Sequence, residues 1–224
     1  MKSTFLLIAF AGLFLSISSF ANASIIVTNL VGNTTFTDPG ANLLQGLTPT
    51  LNDPSKFGTN VNGNSDPLAN VTNGVVGQSW ADAGAGADSY FVKTGGIMTI
   101  ALASAQSIDQ INTYTSWNYD RIDQRYTLLT SSDGLDFTTL AIINEDHSDP
   151  DTAGQQLVEL TNLGLRDVTH LRWDFSVPQP AGFAGYAEFA AFAVVSEPST
   201  FALFGLGLAG LGWSRRKKAY TCHP

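Results

Sequence analysis

The sequence predicts an all-β fold, a single sandwich or barrel of ordinary domain size. Three observations predict it. Helical periodicity is nearly absent after residue 23, short runs rich in Val, Ile, Thr, Tyr and Phe recur instead, and clusters of Gly, Asn, Asp and Pro separate them.

Taken in order, the predicted strands are Ile25 to Thr28, Val75 to Trp80, Ser89 to Val92, Ile97 to Leu102 and Ile108 to Thr115. Gln124 to Ser131, Phe137 to Ile143, Gln155 to Leu160, Val168 to Phe175 and Tyr186 to Val195 follow. The clearest hairpin joins Tyr126–Thr130 to Phe137–Leu140 through Asp133-Gly134, a pair that accepts positive φ at little cost. Alternation from Val168 to Phe175 puts Thr169, Leu171, Trp173 and Phe175 on a core face and Val168, His170, Arg172 and Asp174 on a wet one. Residues 31 to 74 are rich in Asn, Gly, Thr and Pro, with at most a short strand around Leu43 to Leu47. Structureless stretches of that length are uncommon in compact domains, so part of this one is expected to wrap the sandwich or contribute a site.

The two ends have a different character. Lys2, the apolar run Phe5 to Leu15 and the small-x-small Ala21-Asn22-Ala23 make residues 1–23 a signal peptide, recognised by the Sec machinery and removed by signal peptidase before Ser24. The apolar run is too short to cross about 30 Å of hydrocarbon. No Cys follows the cleavage site, which excludes a lipoprotein anchor. At the other end Glu197-Pro198-Ser199 precedes an apolar stretch, Phe201 to Trp213, and then Arg215-Arg216-Lys217-Lys218. The basic cluster should stay cytoplasmic under the positive-inside rule.

Those three pieces in that order resemble the PEP-CTERM sorting signal of Gram-negative bacteria, over Val195 to Lys218. The resemblance implies an exosortase as partner, transient insertion of a C-terminal transmembrane helix in the inner membrane, and release to the cell surface or extracellular matrix. Ser196 stands where the first Pro of the motif usually lies, and residues 219–224 extend beyond the basic run. A plain C-terminal anchor is the alternative.

Charge and cysteine content narrow the classes further. Of the 11 basic residues, Lys2, Arg215, Arg216, Lys217 and Lys218 lie in the end segments, leaving six against all 19 acids, a balance of −13 over residues 24–197. That argues against nucleic-acid binding, which needs basic patches against phosphates. The one cysteine, Cys222, lies in the tail, so the domain has no disulfide, thiolate metal site or Cys nucleophile.

From about Asp66 to Val195 the order of motifs is similar to the galactose-binding-like, discoidin-type sandwich. The pieces are Ala69–Gly74 followed by Trp80, Ile97–Leu102, Ile108–Ile111, Tyr126–Leu128 with Ser132–Phe137, Val168–Phe175 and Tyr186–Phe189. The resemblance implies an eight-stranded jelly roll over 66–195, with 24–65 as its loop-rich N-terminal segment and 196–218 as the sorting signal. It also implies a structural calcium ion held by Asp66, Asn70, Asn73 and Glu188, with Asn73 standing where an Asp is common. The alternative is a loop closed by Asn side-chain hydrogen bonds without metal. Sugar-binding members use an aromatic platform at one end of the sandwich, which here implies Trp117, Tyr119 and Arg121.

Catalytic signatures are missing. There is no Gly-x-Ser-x-Gly, His-Glu-x-x-His or phosphate-binding Gly loop, and neither His147 nor His170 has the setting of a base. The expectation is a non-enzymatic binding module for extracellular polysaccharide. A matrix protein without a small-molecule site and a secreted hydrolase are the competing readings.

Overall fold

The computed structural model describes residues 23–31, 36–37, 40–58, 68–76, 90–146, 153–179 and 181–193. The signal peptide, Asp66, Trp80, His147 and the whole sorting segment, with Glu197, Pro198, Ser199, Arg215, Arg216, Lys217 and Lys218, lie outside them.

Among the described residues ten strands make an all-β sandwich: β1 (Ser24–Val31), β2 (Thr50–Leu51), β3 (Phe57–Gly58), β4 (Tyr90–Lys93), β5 (Ile97–Asn118), β6 (Gln124–Ser131), β7 (Thr138–Glu145), β8 (Ala153–Thr161), β9 (Leu165–Asp174) and β10 (Phe183–Ala193). Their order is β3-β4-β10-β5-β9-β6-β7, with β8 added to β5 and β1 to β8. All the pairings are antiparallel; β6 alternates buried and half-buried positions along most of its length, whereas β10 and the second part of β5 are buried on both faces. β5 is the shared element. Its first part pairs with β2 and β9, and its second part lies between β10 and β8.

Two predicted strands, 97–102 and 108–115, are one strand of 22 residues. The intervening Ala103–Ser107 is polar but contains no Gly, Pro, Asn or Asp, so nothing breaks the extended backbone. The interruption is absorbed as irregular register with β9, between Ala101 and Gln106 and again before Ile108. That irregularity also corrects the alternation expected in β9. Leu171, Trp173 and Phe175 are buried as expected, but so is Val168, while Thr169 is only half-buried.

Leu43–Leu47 is a turn rather than a strand, and Leu44 from it is fully buried in the core. Val75 and Val76 are not in a strand, and the remainder of that predicted element lies outside the described residues. The hairpin between β6 and β7 forms as expected, with Gly134 at φ 78°.

The core is aromatic. Tyr126, Trp173, Phe175, Tyr186 and Phe189 are buried together, with Trp173 edge-on to Phe189 at 4.8 Å and Tyr186 stacked on Phe189 at 5.1 Å. Burial raises both the Tyr126 and Tyr186 hydroxyls above the ordinary tyrosine range.

Candidate functional site

Two regions contain the residues singled out in the sequence. The first is the outer face where β3, β4 and β10 meet the end of β5. Trp117 is 0 % exposed, so its ring cannot serve as a surface platform. It packs in a space that only glycine leaves open: a Cβ on Gly185 would sit 2.5 Å from the indole. Trp117 instead supports Phe183, whose ring meets it edge-on at 5.9 Å. Arg121, half-buried in the 3₁₀ turn Tyr119–Ile122, sets its guanidinium 5.0 Å from the centre of the Phe183 ring. The side chain of Tyr119 lies outside the described residues.

Around Trp117 two rings are only half-buried, Phe91 and Phe183, 5.7 Å apart edge to face. Phe91 alternates along β4 with buried Tyr90 and Val92, which turns it outward. Its ring lies against the backbone of Gly58, where a Cβ would come within 1.8 Å of the ring carbon Cζ. The Phe91 ring is therefore seated on backbone while staying partly exposed. Lys93, exposed, brings its ammonium to 5.4 Å from that ring. Two aromatic rings thus meet edge to face, with a cation near each. Phe91 was findable as an apolar residue on an outward position; Phe183, which precedes its predicted strand, carried no such signal.

The second region joins the 3₁₀ turn Leu68–Thr72 to β10. Asn70, Asn73 and Glu188 do come together here. The Asn73 amide N–H donates to the Asn70 carbonyl at 3.4 Å, and the Gly74 N–H donates to Glu188 Oε1 at 3.3 Å. Several of their oxygens accept from N–H donors. Asn73 Oδ1 accepts from Val75 N at 2.7 Å, and its carbonyl accepts from Gln45 Nε2 at 3.3 Å. Glu188, 1 % exposed, accepts from the Asn42 side-chain amide at 2.8 Å.

Asn42 was not singled out in the sequence, where it is one asparagine among many in a loop-rich stretch. In the fold all its hydrogen-bonding capacity is used. Nδ2 donates to Glu188 Oε1 and to the Phe189 carbonyl at 3.3 Å, and Oδ1 accepts from Leu44 N at 2.9 Å and Ala191 N at 3.0 Å. Calcium needs six to eight oxygen ligands directed at one point. N–H groups point at Glu188 Oε1 and Asn73 Oδ1, while Asp66, the remaining expected ligand, lies outside the described residues. Among the described residues no group of three or more His, Cys, Asp or Glu side chains is placed to hold a metal.

Among the described residues no helix is long and apolar enough to cross a membrane. Residues 194–217 match the PEP-CTERM protein-sorting motif, which marks the chain as exported and sorted through the membrane. Among curated proteins, no sequence matches the chain.

Solved structures similar to it include CpGH89CBM32-5 from Clostridium perfringens, in complex with GalNAc-β-1,3-galactose. It is 19 % identical, with a TM-score of 0.46 over 68 % of this chain and 100 % of that one. The lectin domain of Lectinolysin, complexed with Lewis B antigen, is 7 % identical, with a TM-score of 0.47 over 69 % of this chain and 97 % of that one. A Streptococcus pneumoniae fucose-binding module is 12 % identical, with a TM-score of 0.46 over 71 % of this chain and 99 % of that one.

Proposed function

We propose that the chain is a non-catalytic module, exported and processed by an exosortase, that binds extracellular polysaccharide at the surface of a Gram-negative cell. The observation that carries the binding role is the outward Phe91–Phe183 pair, seated on Gly58 and Trp117 and edged by Lys93 and Arg121. A rigid ring offers contact area at low entropic cost, and cations beside it donate hydrogen bonds to hydroxyls or carboxylates of a glycan. The PEP-CTERM motif supports the location, because it follows the last strand directly and so tethers the sandwich to the membrane during sorting.

In the same reading, Asn42 closes the loop beside Glu188 in place of calcium. A glycan array probed with the exported protein tests the binding role. Retention of one or more polysaccharide fragments, lost in Phe91→Ala with the fold intact, is the expected result. No binding to any glycan favours a purely structural matrix protein, and hydrolysis of a fragment sinks both readings.

A further inference from the structure

The hairpin between β6 and β7 and the start of β9 line a half-open cavity of about 350 Å³ that lies apart from the Phe91–Phe183 face. In strand order the two are at opposite ends, since β3 and β4 begin the series and β6 and β7 end it. The cavity volume falls at the lower end of the range that holds small ligands. Its lining is mostly polar: Ser132, Asp133, Asp136 and Thr138 from the hairpin and Arg166 from β9, over Val168.

The walls are fixed by their own hydrogen bonds. Asp133 Oδ1 accepts from Leu135 N at 2.8 Å, Asp136 N at 3.0 Å and Ser131 Oγ at 2.9 Å. Those donors, the Leu135 amide first, hold the Asp133 carboxyl below the ordinary aspartate range, so it is ionised at neutral pH. The Gly134 N–H donates to Ser131 Oγ at 2.9 Å, and Gly134 lies against the His170 ring, where a Cβ would come within 2.6 Å. Phe137 is clamped from below, with the Arg172 guanidinium 3.4 Å from its ring centre and Arg172 Nε donating to Thr99 Oγ1 at 3.1 Å.

Arg166 is exposed and, among the described residues, forms no ion pair, although two carboxylates line the same cavity. Donor and acceptors therefore face the cavity separately instead of neutralising one another. A hydroxyl can satisfy both, donating to a carboxylate and accepting from a guanidinium. Two carboxylates against one guanidinium also disfavour an anionic guest.

We infer that this cavity is a second binding site, for a neutral polyhydroxylated ring such as a hexose, with Asp133 and Asp136 accepting from its hydroxyls and Arg166 donating to them. The module then holds two glycan contacts at opposite ends of its strand order.

The test is an NMR titration of the full-length, ¹⁵N-labelled chain in detergent. The probes are the methyl glycosides of galactose, glucose and mannose, with glucuronic acid as the charged comparison. At least one neutral glycoside should shift the Gly134, Leu135, Asp136 and Arg166 amides saturably. Arg166→Ala and Asp136→Asn should each weaken that binding by about tenfold or more, the loss of one hydrogen bond to a charged group. The inference is overturned if no neutral glycoside moves those amides, if Arg166→Ala leaves the titration unchanged, or if glucuronic acid binds better. Phe91→Ala separates the two sites: it should leave these shifts intact while removing polysaccharide binding at the other face.

Discussion

Replacing Asn42 by Ala deletes one side-chain amide that makes four hydrogen bonds, one of them to the buried Glu188 carboxylate and two to the backbone of β10. A hydrogen bond to a charged group contributes about 1.5–3 kcal/mol and a neutral one about 1 kcal/mol, and a buried partner left bare costs its desolvation. Water entering the space left by the amide recovers part of that, so the expected loss is about 3–5 kcal/mol, a large share of a typical domain's total stability. For a domain of this size it corresponds to a fall of about 6–20 °C in the unfolding midpoint. Urea unfolding followed by tryptophan fluorescence measures it directly. Asn42→Asp gives a sharper signature. It keeps the acceptor for Leu44 and Ala191 but sets a second carboxylate against Glu188, so it should be less stable than wild type at pH 7. Sharing a proton restores the pair, so its deficit should shrink as pH falls through the carboxylate range. A loss below about 1 kcal/mol for Asn42→Ala, or a deficit in Asn42→Asp that does not change with pH, would refute the role given to this residue.

EDTA should leave the unfolding midpoint unchanged, because N–H donors occupy Glu188 Oε1 and Asn73 Oδ1; a drop on chelation, reversed by calcium, would show that an ion displaces them. Gly58→Ala should force the Phe91 ring off its seat and weaken glycan retention with a stability loss of about 1–3 kcal/mol, read from binding and melting of the same sample. Buried Tyr126 and Tyr186 have hydroxyls raised above the unfolded value of 10.0, so their contribution is complete below that pH and is lost as pH rises beyond it. Tyrosinate absorbance should therefore appear together with unfolding rather than before it. Mass spectrometry of the exported protein should find the segment from Phe201 to Lys218 removed; its retention would make the tail a permanent anchor.

Most of the fold was legible because strand alternation and turn chemistry are local. Gln124–Ser131 and the Asp133-Gly134 hairpin could be read directly, since both depend on residues within a few positions of one another. The continuity of β5 was not, because a polar run without Gly or Pro looks like a break in hydrophobicity while leaving the backbone free to stay extended. The site was less legible for the same reason in reverse. Whether Trp117 is covered depends on Gly185 and Phe183, nearly 70 residues away in the chain, and Asn42 gains its meaning only when β10 is laid beside it. Residues whose roles come from long-range packing look ordinary in one dimension.

The binding role is tested most directly by isothermal titration of the exported protein with exopolysaccharide purified from the cells that produce it. Saturable binding is expected, weakened by about a hundredfold in Phe91→Ala, as for a central aromatic contact of about 2–4 kcal/mol, with the folded structure retained at the temperature of the titration. The absence of any binding, or binding that Phe91→Ala leaves untouched, would contradict a glycan-binding face at Phe91 and Phe183.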